Sequence, residues 1–437
     1  MATNPISQFP AGFLWGVSTS AHQIEGAADE REPSVWDAFT AEPGRVKDGS
    51  TAAVACDHYH RYAEDVALLA DLGVDAYRFS VSWPRVNSPG GLDFYDRLVD
   101  ELCAAGVRPV PTLFHWDLPL ALDWLDRDTA ARFAEYAARV AERLGDRVTK
   151  WITLNEPAEH TLLGHALGAH APGRQLLFDA LPAAHHQLLA HGLAVRALRA
   201  AGVTDIGIAN SHGPTWPASQ EPADLEAAAF YDLLLNRLFS DPLLLGRYPE
   251  GIGELMPKGS AGIESDLKVI AEPIDWYGIN YYAPTKVGAP QGAEIEFGGL
   301  TLPAELPFSV REIEGHPVTD FGWPVVPQAL TELLTGFRER FGDRLPPIVI
   351  TENGCSYEGI DDQERIAYLD GHVRALHRAV EAGVDVRGYF VWSLLDNFEW
   401  AEGYERRFGL VHVDYDTLER TPKASYGWLR DALRARR

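Results

Sequence analysis

Two glutamates stand where apolar runs break off. Pro347-Ile348-Val349-Ile350 leads into Thr351-Glu352-Asn353-Gly354, and Trp151-Ile152-Thr153-Leu154 leads into Asn155-Glu156-Pro157. Short apolar runs of this kind read as buried strands. A carboxylate at the end of such a strand has left the core for a rim or a pocket. If both strand ends face one pocket, the two carboxyls can act on one bond. One gives a proton to a poor leaving group while the other attacks the electrophilic carbon or activates water. Glycosidic bond cleavage needs this division of labour. The leaving oxygen must be protonated as it departs, and the positive charge that develops in the ring favours a nearby carboxylate. The residues alone leave open whether the second carboxylate attacks directly or through water.

The elements that must position the pair alternate along the chain. Apolar runs at Phe13–Val17, Asp75–Ser80, Val107–Thr112, Trp151–Leu154, Asp205–Asn210, Ile274–Asn280, Pro347–Thr351 and Val386–Trp392 read as eight strands. Between them lie helical patterns, at Cys56–Leu72, Phe94–Ala105, His185–Ala201, Leu225–Leu238, Pro327–Phe341 and Gln363–Ala382, and one that Asp128 can cap. Eight βα units predict an α/β fold, a (β/α)8 TIM barrel with long βα loops, as a single catalytic domain over 1–437. The 437 residues exceed the roughly 250 typical of that barrel, which puts the surplus in loops such as 17–56, 155–184, 211–224 and 281–326. A doubly wound open sheet is the alternative. It would want a Gly-rich turn after the first strand, and neither HGP at 212–214 nor LGRYPEG at 245–251 is a nucleotide cradle.

In a barrel the strand ends share one rim. That rim would gather His115, Trp116 and Asp117 after the third strand, Asn155 and Glu156 after the fourth, and Asn280, Tyr281 and Tyr282 after the sixth. Glu352 and Asn353 follow from the seventh, and Trp392, Asp396, Asn397, Glu399 and Trp400 from the eighth, with Arg78 inside the second. Tryptophans offer flat apolar faces to sugar rings. Gln23, His115, Asn155 and Glu399 can bind hydroxyls.

The chain resembles glycoside hydrolase family 1, and its β-glucosidases in particular, over essentially its whole length. FLWGVSTSAHQIEGA, YRFSVSWPR, PTLFHWDLP, WITLNEP, DWYGINYY, VITENG, YFVWSLLDNFEWAEGYERRFGL and DYDTLERTPKAS follow one another in that family's order. The resemblance implies Glu156 as acid/base and Glu352 as nucleophile, hence a retaining double displacement. It implies Arg78 and Tyr282 as partners of the nucleophile and Asn155 as donor to the sugar 2-hydroxyl. Gln23, His115, Glu399 and Trp400 would bind the glycone and Trp392 would be its floor. Trp323 would be the aglycone platform, and Trp116, Asn280 and Phe408 complete the expected substrate lining. Leu120 and Pro324 stand where the family often has Gln and Glu. A subgroup that takes 6-phosphorylated sugars has Ser, Lys and Tyr where this chain has Glu399, Arg406 and Phe408, and an anionic Glu399 would repel the phosphate. The substrates implied are small β-glucosides or cello-oligosaccharides, with β-galactosides and β-fucosides as side substrates. No cofactor is implied.

Composition excludes several other classes. A formal charge of −25 argues against nucleic acid and acidic membranes as partners. No stretch of 18 uncharged apolar residues appears, so no membrane span is expected. Cys56, Cys103 and Cys355 are too few and too scattered for a disulfide framework or a CxxC site, which together with the absence of a basic-then-apolar start favours the cytoplasm. No metal site is expected: His58, His60, His185, His186 and His191 read as helix or core histidines. Cys355, one residue past ENG, is a poor nucleophile candidate beside Glu352, and Trp15 and Trp36 read as core.

Overall fold

The computed structural model describes residues 4–252, 263–297 and 300–436. Met1 to Thr3, at the start of the chain, lie outside the described residues. Eight parallel strands close into a barrel in chain order: β1 Leu14–Ser18, β2 Ala76–Ser80, β3 Arg108–Phe114, β4 Lys150–Asn155, β5 Asp205–Ser211, β6 Trp276–Asn280, β7 Ile348–Asn353 and β8 Val386–Trp392. The seam is the β1–β8 pairing, Leu14 opposite Gly388 through Ser18 opposite Trp392. Every strand coincides with one of the expected apolar runs to within a few residues.

Eight buried side chains plug the barrel interior, one from each strand: Leu14, Ala76, Val110, Ile152, Ala209, Trp276, Val349 and Phe390. Small and large residues complement one another in this layer. Gly207 lies against the Trp276 indole and Gly16 against the Phe390 ring, so a methyl group at either position would collide with the ring. Outside the strands, a larger core joins them to helices α1 His58–Leu72, α2 Gly91–Ala104, α3 Asp128–Leu144, α4 Leu181–Ala200, α5 Pro222–Asp232, α6 Pro327–Phe341, α7 Gln363–Glu381 and α8 Ala424–Arg434. Asp128 begins α3 but does not cap it; the Asp126 carboxylate takes the Asp128 N–H at 3.0 Å. The helix expected from Leu225 begins at Pro222 and continues through a π-turn, Leu233–Arg237, to Leu245.

Length beyond the barrel sits in loops at the C-terminal ends of the strands, as expected, and these include 393–423 after β8, which the sequence patterning did not single out. Two strands deviate from regular pairing where the glutamates lie. The register of β7 shifts between Ile350 and Glu352 against β6, and that of β4 between Ile152 and Asn155 against β5. Irregularities of this kind re-aim side chains at the rims of barrels. Glu156 then leaves β4 in a left-handed conformation, φ 46° and ψ 60°. Gly354 follows for a steric reason: a Cβ there would meet the Trp392 carbonyl oxygen. The turn after Glu352 can therefore press against β8 only as glycine.

Candidate active site

Glu156 and Glu352 line one cavity of about 540 Å³ at the C-terminal mouth of the barrel. Both are almost fully buried, at 6% and 3% exposure. Removing carboxylates from water is costly unless their oxygens are hydrogen-bonded, and each oxygen here has a donor. Arg78 Nη1 donates to Glu352 Oε1 at 2.5 Å and the Tyr282 hydroxyl to Oε2 at 2.6 Å. Asn280 Nδ2 donates to Glu156 Oε1 at 2.9 Å, and Asn155 Nδ2 to Oε2 at 3.3 Å.

Arg78 is held from four directions. Its Nε donates to Thr112 Oγ1 and its Nη1 also to the Thr351 carbonyl, both at 3.1 Å, while Nη2 donates to Asn155 Oδ1 at 2.5 Å. A guanidinium cannot accept, so this last bond fixes which way round the Asn155 amide lies. Asn280 Nδ2 reaches the same Oδ1 at 3.0 Å, and Thr351 Oγ1 anchors Asn280 Oδ1 at 2.6 Å. The two glutamates thus belong to one polar network drawn from β2, β3, β4, β6 and β7.

The network sets protonation. Burial pushes Glu156 well above the ordinary carboxyl range. The charge of Glu352 and, less strongly, that of Glu159 add to this, against the Asn280 hydrogen bond and Arg78. Burial, with Glu352 beside it, also holds the Tyr282 phenol well above its usual value, so it remains a donor. His115 is driven well below the usual imidazole range by burial and by Arg78. It is neutral, and its Nε2 accepts from Asn155 Nδ2 at 3.0 Å.

The expected glycone residues come together on the β1 and β8 side. Gln23 Nε2 donates to Glu399 Oε2 at 3.2 Å and to Asn397 Oδ1 and the Phe398 carbonyl at 2.9 Å each, while Ser20 fixes its Oε1 at 2.6 Å. His115 stacks on Trp392 and Trp400, with ring centroids 5.7 and 5.9 Å apart. Trp116 packs on Trp400 at 4.7 Å and donates from Nε1 to the Asn155 carbonyl at 3.1 Å. Across the mouth, half-buried Trp323 stacks on Phe321 at 4.3 Å and lies 5.3 Å from Tyr282 and 6.1 Å from Phe408.

Glu399 differs from the sequence expectation of a fixed anion. Burial, with Glu352 and then Glu402 nearby, pushes it up to about 8 against the Gln23 hydrogen bond. It is largely neutral below that pH, and repulsion of a phosphate by its charge is correspondingly weak. Arg406 is turned away, onto Glu402 at 2.9 Å and the Asp320 carbonyl at 2.6 Å.

Other rim residues serve structure. Asn353 ties Tyr281, Tyr368 and Tyr389 together, and Asp396 is enclosed by Lys423, Arg407 and His412. Cys355 is buried with its thiol pushed up to about 12 by burial, which disarms it as a nucleophile. His58, His60, His185, His186 and His191 each have a protein partner. Trp15 and Trp36 are core. Among the described residues no group of three or more His, Cys, Asp or Glu could hold a metal ion, and no helix is long and apolar enough to cross a membrane. Sequence reading missed Glu159, one turn past Glu156 and lining the same cavity, and the threonines 112 and 351 that hold Arg78 and Asn280. Thr351 and Thr112, each closing an expected strand, offered a positional signal.

The model of the Glycosyl hydrolase family 1 matches residues 6–437. Beta-glucosidase A of Acetivibrio thermocellus is 42% identical over 450 residues, which cover 98% of each chain. The bifunctional beta-D-glucosidase/beta-D-fucosidase of Bifidobacterium breve is 42% identical over 462 residues, covering 97% of each. The crystal structure of a psychrophilic beta-glucosidase from Micrococcus antarcticus superposes with a TM-score of 0.92 at 44% identity, over 99% of each chain.

Proposed function

The chain belongs to glycosyl hydrolase family 1, and from that membership we propose that it is a retaining β-glucosidase releasing terminal β-D-glucosyl residues by double displacement. One observation carries the assignment of roles. A carboxylate gripped by a guanidinium and a phenol faces, in one cavity, a buried carboxyl held protonated. Glu352, with both oxygens fixed, is aimed as the nucleophile. Glu156 gives its proton to the leaving oxygen as the C–O bond breaks and the Glu352–glycosyl bond forms. The glycosyl-enzyme is an ester, so the charge of Glu352 that helped keep Glu156 protonated is gone. Glu156 then accepts a proton from the attacking water, which displaces Glu352 and restores its charge. Asn155 and Asn280, donating to Glu156, steady the anion it becomes at mid-cycle.

Glucose would lie on Trp392, with its outer hydroxyls among Gln23, His115, Glu399 and Trp400, Trp116 backing Trp400, and its aglycone toward Trp323. The second activity of the Bifidobacterium relative supports β-fucosides as further substrates, with β-galactosides beside them. Small β-glucosides and cello-oligosaccharides are the substrates, not nucleic acid, given the charge of −25. The 1–437 chain acts as one catalytic domain. Three free cysteines, one of them exposed, support a cytoplasmic setting.

The test is Glu352→Ala with and without azide. Turnover should nearly vanish, and azide should restore it with α-glycosyl azide as product. Near wild-type turnover without azide overturns the assignment.

A further inference from the structure

Glu159 shares the cavity with Glu156 and has no cation beside it. The one-turn helix Pro157–Glu159 starts directly after Glu156, and both side chains line the cavity. Glu352 is paired with Arg78, and Glu402 with Lys47 and Arg406. Half-buried Glu159 has instead the Ser211 hydroxyl, at the end of β5, as its partner. Among the described residues no arginine, lysine or histidine forms an ion pair with it. Lys47 and Arg45, which line the same cavity, are engaged by Glu402 at 2.6 Å and Glu42 at 2.8 Å. Burial drives His115, His160, His170 and His212 below the usual imidazole range, so they are neutral. Burial pushes the Tyr231 phenol of α5 up to about 12, against its bond to Thr285, so it carries no charge either.

We propose that Glu159 is a positioning residue for the proton of Glu156: its unpaired carboxylate holds that proton in place before bond cleavage and makes Glu156 the stronger base afterwards. The proposal rests on the β-glucosidase reading, in which Glu156 is the acid/base. Burial raises both carboxyls, but Glu156 also feels Glu352, while Ser211 pulls Glu159 back down. Glu159 therefore ionises first, and the remaining proton of the pair stays on Glu156. Arg78 and the Asn280 amide oppose this at Glu156, and Tyr282 beside it is a neutral phenol. In the glycosyl-enzyme the charge of Glu352 is gone, but that of Glu159 remains. Glu159 itself exchanges no proton. The proton passes from Glu156 to the leaving oxygen and returns to Glu156 from the attacking water. Leu162, Leu163 and Leu235 on the same wall limit screening between the two carboxyls.

The experiment records pH profiles of wild type, Glu159→Gln, Glu159→Ala and Glu159→Asp on hexyl β-glucoside and 2,4-dinitrophenyl β-glucoside, with thermal melting to verify folding. Even about 10 Å away in an effective dielectric of about 40, a full charge shifts a carboxyl by about half a pH unit. On hexyl glucoside the alkaline limb of kcat/KM should thus move to lower pH by at least about half a unit in both neutral variants. In Glu159→Asp, which keeps the charge, it should stay with wild type. On the dinitrophenyl glucoside, where kcat reports the water step, kcat should fall about twofold or more in the neutral variants, with kcat/KM nearly unchanged. A lower maximum with an unmoved limb is the mark of a structural role and overturns the proposal. So do a limb displaced equally in Glu159→Asp and neutral variants that fail to fold. Each of these leaves the β-glucosidase reading standing as long as wild type cleaves the dinitrophenyl glucoside; wild type that does not cleave it overturns both.

Discussion

Asn280→Ala removes a donor from Glu156 while leaving the grip of Arg78 and Tyr282 on Glu352 intact. The Asn280 amide lies 2.9 Å from Glu156 Oε1 and 3.0 Å from Asn155 Oδ1, and its carbonyl holds the Thr351 hydroxyl at 2.6 Å. Hydrogen bonds to a charged group contribute about 1.5–3 kcal/mol. As the proposed acid, Glu156 starts the first step neutral and becomes an anion as its proton leaves, so the bond would strengthen along the reaction. If about half of that charge has developed at the transition state, the loss is about 0.7–1.5 kcal/mol, or roughly 3- to 12-fold in kcat/KM. A substrate that leaves without proton assistance, such as 2,4-dinitrophenyl β-glucoside, should lose much less in the glycosylation step. The pH profile carries a sign. Asn280 works against burial and Glu352 to lower the Glu156 pKa, so its removal keeps the acid protonated further into alkali. The alkaline limb of kcat/KM for an alkyl glucoside should therefore move to higher pH, while the maximum falls. Steady-state rates across pH on both substrates test this, with thermal melting to verify that the variant is folded. An alkaline limb that moves to lower pH, or an equal loss on both substrates, refutes the proton-holding role of Asn280.

Glu399→Gln should cost little at pH 6, where the wild-type carboxyl, pushed up to about 8, is itself neutral. The cost should grow at pH 9, where the anion can accept from two sugar hydroxyls. A wild-type-to-variant ratio of kcat/KM that is the same at both pH values contradicts this. A separate prediction concerns stability. Burial raises the Asp65 carboxyl, but His58 at 2.8 Å and Arg420 at 2.9 Å outweigh it and hold its pKa below the ordinary value. Asp65→Asn leaves buried Arg420 without its anion, at a cost of about 3–5 kcal/mol. That stabilisation is present above the ordinary aspartate pKa and fades as pH falls through the folded value. The melting gap between wild type and variant should be widest near pH 7 and shrink as pH falls below the ordinary aspartate pKa; a gap independent of pH counts against the pairing.

Strands and glutamates were legible because each signal is local. Apolar runs of strand length alternate with 3.6-residue stripes, and both glutamates interrupt such runs. What the sequence could not carry depends on neighbours in space. The register shifts before Asn155 and Glu352 exist only relative to β5 and β6. Glu159 looks like any glutamate on a short helix until Ser211 is placed beside it. Glu399 reads as a charge until burial and two further carboxylates make it a weak acid. Asp128 failed as a cap because it is already the first helical residue: Arg127 holds the cap position, and Asp126 takes the Asp128 N–H. The span of the loop after β8 was not legible because no expected helix marked its end; the structure supplies one at Ala424–Arg434.

The seam between β1 and β8 has a consequence for biosynthesis. The two carboxylates and their arginine are already encoded once β7 has been translated. Trp392 and the 393–423 loop that carries Glu399 and Trp400 are made only after β7, and they meet Gln23, one of the earliest residues made. On the proposed assignment, a nascent chain halted after β7 holds both carboxylates but lacks Trp392 as a floor for the sugar. Recognition of glucose waits until the first strand and the last are zipped together. Hydrolysis by ribosome-bound chains of increasing length would switch on with closure of the barrel, not with synthesis of the second glutamate.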